Sequence, residues 1–142
     1  MIYETVSRDP REKRAQKSAG KLTSPQNIDH SILQTLKYEY PKRKIMVELA
    51  SDEFTCVCPF SGLPDFAKLI IRYTPRRKLI EMKSLKYYLY AFRGVKIYNE
   101  HAVNKIFADL TRAINPRQLT VIGQFTSRGG ITNTVTAART RG

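Results

Sequence analysis

Cysteine and histidine are the scarce residues of this chain. There are two of each: Cys56 and Cys58 stand one residue apart, and His30 and His101 lie far from them and from each other. That count excludes a disulfide framework, and two cysteines so close in sequence are geometrically poor partners for even one bridge. A zinc ion would need about two further ligands at paired spacing, which the histidines do not supply, so no metal is expected. Neither histidine stands in a recognisable motif for Ser-His-Asp catalysis. Long apolar runs are also missing, none approaching the roughly 20 residues of a membrane span. The N-terminus lacks the apolar stretch of a signal peptide, which predicts a cytoplasmic protein with reduced thiols and no membrane partner. Acidic residues are few, 12 against 25 Lys and Arg, leaving +13. Such a balance attracts polyanions, whether nucleic acid or phosphorylated cofactors, or it serves solubility alone. The basic residues are spread through the chain, which weakens the nucleic-acid version.

What is present suffices for one domain, since 142 residues with 42% apolar content can bury a real core. Residues 1–27 carry Arg8, Arg11, Lys13, Arg14, Lys17 and Lys21 among Gly, Ser, Pro and Gln, the composition of a flexible basic arm. Residues 28–142 form the expected domain. Ile28, Ile32, Leu33 and Leu36 fit either a short helix or an extended segment. Lys44 to Ala50 reads as a strand with Ile45, Val47 and Leu49 on one side. Ala67 to Thr74 alternates as a second strand, and after the basic turn Pro75 to Lys78, Leu79 to Met82 reads as its antiparallel return. Leu85, Tyr88, Leu89 and Phe92 recur at helical spacing up to Gly94. Asn99 is a suitable N-cap for a second helix with the stripe Val103, Ile106, Phe107, Leu110 and Ile114, stopped by Pro116. Leu119 to Phe125 and Ile131 to Ala137 read as a hairpin closed at Gly129 and Gly130. The sum is an α+β domain, an antiparallel sheet with two helices layered on one face. Its open edges favour self-association.

The stretch between the first two strands, Phe54 to Phe66, holds both thiols, two prolines, a glycine and one acid, a concentration that suits a site on a loop. Cys58 precedes a proline in a polar turn, and Asp65 follows seven residues later. A thiolate beside a proton donor suits addition to an unsaturated carbon. Cys56 alternates to the other side and reads as packing. Further on, Lys83, Ser84 and Lys86 join cations, a hydroxyl and a helix N-terminus. That set fits either a phosphate receptor or a solvated basic turn. Glu81 ends a strand before it. Glu100 opens the second helix, where its carboxylate can take a guanine-like N–H edge side by side or simply complement the helix dipole.

Taken in order, Glu53 to Ala67, Glu81-Met-Lys-Ser-Leu-Lys-Tyr-Tyr-Leu89, Phe92-Arg93, Glu100-His-Ala-Val-Asn104 and Arg128-Gly-Gly-Ile131 resemble the NADPH-dependent 7-cyano-7-deazaguanine reductases, the QueF nitrile reductases, in their short single-domain form. The resemblance implies that Cys58 adds to the nitrile carbon to give a covalent thioimide and that Asp65 protonates the nitrogen. It implies that Ile80, Glu81, Met82, Asn99 and Glu100 bind the deazaguanine, and that Lys83, Ser84, Lys86 and Arg128 bind NADPH. Two NADPH then reduce the nitrile to the aminomethyl base, a queuosine precursor for tRNA. The implied fold is the tunnelling fold (T-fold), a homo-oligomer of stacked rings, a decamer, with active sites between subunits.

One departure stands out: the family usually has His-Glu where this chain has Asn99-Glu100. An asparagine can bind substrate there but cannot titrate. His101 faces elsewhere on the helix. The lost histidine, the basic arm and the +13 charge suit an alternative, a QueF-like amidinotransferase that converts the nitrile base within tRNA to an amidine without redox chemistry. The intact Glu81 to Lys86 element argues against it. A basic RNA-binding module is the third possibility, with no recognised nucleic-acid motif behind it.

Overall fold

In the computed structural model, residues 10–11 and 23–140 are described. Among the described residues from 23 onward, six strands and two α-helices follow in order: β1 (Thr35–Lys37), β2 (Val47–Val57), β3 (Pro64–Thr74), β4 (Lys78–Ile80), α1 (Met82–Tyr90), α2 (Asn99–Ile114), β5 (Gln118–Arg128) and β6 (Ile131–Thr140). Four of the strands form one antiparallel sheet in the order β2-β3-β5-β6, and both helices cover one of its faces. The α+β reading holds.

Period-two burial explains the sheet. Ala67, Leu69, Ile71 and Tyr73 of β3 are buried, as are Leu119, Val121 and Phe125 of β5, while the alternate residues look outward. In β2 the pairing shifts by one residue between Ser51 and Phe54, a bulge that keeps Phe54 and Cys56 turned inward. The bulge also lets β2 run on through Cys56 to Val57, and β3 starts at Pro64. The expected long Cys loop is therefore two strand ends joined by a tight turn.

Above the sheet, Leu85, Tyr88 and Leu89 of α1 and Val103, Ile106, Leu110 and Ile114 of α2 complete the core. Phe54 meets Phe92 at 5.3 Å and, edge-on, Phe125 at 6.4 Å. The two helices are joined by a buried polar contact in which the Tyr88 hydroxyl donates to Asp109 at 2.6 Å and Lys105 reaches the same carboxylate at 2.9 Å. Asn115 takes the left-handed conformation that ends α2 ahead of Pro116.

Three expectations need correction. The segment Leu79 to Met82 does not return along β3. β4 pairs with β1 in a separate two-stranded ribbon, Met82 begins α1, and the other side of β3 is taken by β5. The Ile80 N–H that would have entered a ladder with β3 donates instead to the Tyr73 hydroxyl at 3.1 Å. Asn99 is not the cap of α2 but its first residue, preceded by Tyr98 in extended conformation. Finally, Thr23, placed in the arm by composition, is already part of the body: its N–H donates to Gly94 and its carbonyl accepts from Lys96. The remainder of the expected arm, residues 1–9 and 12–22, lies outside the described residues. The ambiguous 28–36 segment is a single 3-10 turn at His30–Ile32 followed by β1.

Candidate functional site

The turn from Cys58 to Leu63 is built by its own backbone. Cys58 N–H donates to Leu63 O at 2.9 Å and Gly62 N–H to Cys58 O at 2.9 Å. Gly62 has φ +72°, a conformation that a side chain would strain. Inside this loop the Ser61 N–H points at Cys58 Sγ, 3.5 Å away. The thiol is half-exposed and held below the ordinary thiol range, first by the Ser61 hydroxyl and then by the N–H groups of Ser61 and Phe60. Slight desolvation and the nearby Asp65 carboxylate oppose that shift. Two residues back, Cys56 is wholly buried and its thiol is pushed up to about 12, chiefly by burial and then by Asp65. Cys56 is core packing, and Cys58 is the one with the means to ionise.

Asp65 opens β3 directly across the ladder from Cys56. Arg128, at the end of β5, reaches it with Nε 3.0 Å from Oδ1. A second bulge, between Phe125 and Arg128, aims the arginine that way, and Gly129 and Gly130 close the hairpin with positive φ. The same end of the sheet receives the start of α2. The segment before it bridges β2 through Val57 and Lys96, and the Glu100 carboxylate accepts from Asn133 Nδ2 on β6 at 3.1 Å. Asn99 is half-buried, and its Oδ1 is buried with no hydrogen-bond partner. Phe60, 93% exposed, with Leu63, Phe66, Tyr98 and Ile131, forms an apolar rim around this end.

The second expected cluster lies elsewhere. Glu81 caps α1 by accepting the Ser84 N–H at 2.7 Å, and Arg11 donates to the same oxygen at 2.7 Å. Burial would raise this carboxyl, but the Ser84 N–H and hydroxyl and the Arg11 guanidinium together hold it below the usual range. Ser84 is wholly buried: its hydroxyl accepts from the Gln34 N–H at 2.9 Å and donates to Glu81 O at 2.8 Å. Ser84, expected at the cofactor, here ties Gln34, the residue before β1, to the start of α1. Ile80 is buried as well, whereas Met82, Lys83 and Lys86 are exposed, both lysines over the Tyr87 ring. Met82 and Lys86 line a groove of about 380 Å³ between α1 and the edge strand β2, from Glu48 to Phe54. Cys58 and Asp65 do not line it.

The fold thus brings together Cys58, Asp65 and Arg128, with Asn99 and Glu100 at the same end, and sets Ile80 and Glu81 at the other end of β3. Ile80 rests on Tyr73. Tyr73 lies eight residues along β3 from Asp65, roughly 26 Å at the usual strand rise. Ser61 and Asn133, which support Cys58 and Glu100, were not singled out from the sequence. Ser61 lay inside the motif, but nothing in one dimension marks Asn133.

A family model described as QueF-like protein matches residues 64–141. The NADPH-dependent 7-cyano-7-deazaguanine reductase of Caldanaerobacter subterraneus subsp. tengcongensis is 49% identical over 112 residues, 79% of this chain and 84% of that one. The protein of the same name from Caldicellulosiruptor bescii is 51% identical over 112 residues, 79% of this chain and 86% of that one. Among solved structures, the apo crystal structure of the archaeosine synthase QueF-Like superposes with a TM-score of 0.62 at 24% identity, over 66% of this chain and 91% of that one, a likeness of fold. The family match over residues 64–141 and near half-identity across most of the chain lead to one conclusion: the protein belongs to the QueF family.

Proposed function

We propose that the protein is an NADPH-dependent reductase that converts 7-cyano-7-deazaguanine to 7-aminomethyl-7-deazaguanine, in queuosine synthesis, through a thioimide on Cys58. The observation that carries this reading is the Cys58 turn, where a thiol is held below its ordinary range within reach of the Asp65 charge. The Asp65 carboxylate takes the proton from the Cys58 thiol, the sulfur adds to the nitrile carbon, one C–N π bond breaks onto nitrogen as the C–S bond forms, and Asp65 passes the same proton to that nitrogen. The same lowered basicity makes sulfur a good leaving group later. Glu100, steadied by Asn133, receives the guanine-like N–H edge, and the unpartnered Asn99 Oδ1 beside it offers a further acceptor. The exposed Lys83 and Lys86 near the start of α1 supply the cations that fit an anionic dinucleotide. NADPH bound there supplies hydride, two equivalents for each nitrile.

In this reading the complete site draws on a second copy, because Ile80 and Glu81 lie at the far end of β3 from Asp65 and the Met82–Lys86 groove is not lined by Cys58 or Asp65. The open β2 and β6 edges and the apolar rim around Cys58 support a T-fold ring in which α1 of one copy faces the Cys58 turn of the next. The stacked-ring decamer follows from the same reading.

The experiment is loss of NADPH absorbance on adding 7-cyano-7-deazaguanine, with Cys58→Ala inactive. No oxidation by the wild type, together with ammonia-dependent conversion of nitrile-bearing tRNA, would select the amidine-forming alternative instead.

A further inference from the structure

Arg128 does more here than present a charge. Each of its three guanidinium nitrogens is engaged by the Cys58 turn and the strand that follows: Nε with Asp65 Oδ1 at 3.0 Å, Nη2 donating to Pro64 O at 3.0 Å, and Nη1 donating to Ser61 Oγ at 3.4 Å. Ser61 in turn directs its N–H at Cys58 Sγ. One planar fork therefore spans the proton donor, the backbone beside it and the residue that supports the nucleophile. A lysine could not reach all three acceptors. The fork arrives from β5, a strand that carries neither reacting group, and the bulge before Arg128 directs it there.

We propose that Arg128 is a positioning residue that fixes Asp65 and the Cys58 turn in one rigid arrangement for attack on the nitrile, rather than a phosphate contact. The proposal rests on the nitrile reading given above. Three of the five guanidinium N–H groups are spent on the turn and the strand that follows it, which holds the planar group against them. The charged and titratable groups near the thiol are Asp65 on β3, Arg128 on β5, Cys56 on β2 and Lys96 on the segment bridged to Val57. Of these, Asp65 opposes thiolate formation at Cys58, and Arg128 is its ion-pair partner.

The test separates the first chemical step from cofactor binding. Wild type, Arg128→Gln and Arg128→Lys are mixed with 7-cyano-7-deazaguanine without NADPH, and the protein adduct is timed by intact mass. The rate of Cys58 alkylation by iodoacetamide is then followed against pH. Arg128→Gln is expected to slow the adduct by about a hundredfold, as misplacement on the ångström scale does. It should also move the alkylation profile to higher pH, since Asp65 then faces the thiol uncompensated. Arg128→Lys should restore the profile more than the adduct rate. An adduct rate and alkylation profile equal to wild type, with only the KM for NADPH raised, overturns the proposal. If wild type forms no adduct, the nitrile reading fails, while the alkylation profiles still decide whether Arg128 governs the thiol. If circular dichroism shows Arg128→Gln unfolded, Arg128→Lys decides by the same two readouts.

Discussion

Cys56 and Cys58 are two residues apart, yet their thiols are driven in opposite directions, Cys56 up to about 12 by burial and Cys58 below its ordinary range by the Ser61 hydroxyl and the turn N–H groups. The difference comes from where β2 ends. Cys56 is the last inward residue of the strand, and Cys58 is the first residue of the turn beyond it.

Iodoacetamide near neutral pH is accordingly expected to label Cys58 and spare Cys56 until the chain unfolds, as peptide mass mapping would report. Cys58→Ala should abolish NADPH consumption. Cys56→Ala should retain it at some cost in stability, about 1 kcal/mol or more for the lost buried atoms. Labelling of both thiols at equal rates in the native protein would refute this assignment.

The Glu81 cap gives a pH dependence of known sign. Its carboxyl is held below the usual range in the folded chain. Its stabilising contribution is therefore complete above the unfolded carboxylate pKa and is lost as pH falls through the lower folded value. Glu81→Gln should lower stability by about 1 kcal/mol at neutral pH. In thermal melts, the gap to wild type should close in acid.

Asp109 is the only buried acid in the core among the described residues, with Tyr88 and Lys105 on its two oxygens. Removing it strands a buried hydroxyl and an ammonium, whereas removing the hydroxyl leaves the carboxylate with Lys105. In urea unfolding, Asp109→Ala should cost about 3 kcal/mol or more. Tyr88→Phe should cost about 1–2 kcal/mol. The reverse order would count against the network as described.

Gly123 faces α2 with no room to spare, since a Cβ there would come within 2.8 Å of both Val103 and the Phe125 ring. Gly123→Ala should destabilise the domain by about 1–3 kcal/mol through overpacking. An unchanged melting temperature would show that α2 can shift away from the sheet.

By itself the sequence determined both helical stripes, the central strands and the hairpin, and it singled out Cys58 and Asp65 as the candidate pair, because periodicity and turn chemistry are local and the motif places both groups within eight residues. It also marked Cys56 as packing, through simple alternation. Only the tertiary structure decided that β4 leaves the sheet to join β1, that Ser84 is an internal fastener, and that Arg128 and Asn133 support groups far from them in sequence. Each of these depends on which strand lies beside which, and on bulges in β2 and β5 that shift register by one residue. The placement of Ile80 at the far end of β3 from Asp65 has the same origin: a strand of fixed rise lies between them, so membership of a shared motif does not become proximity in space.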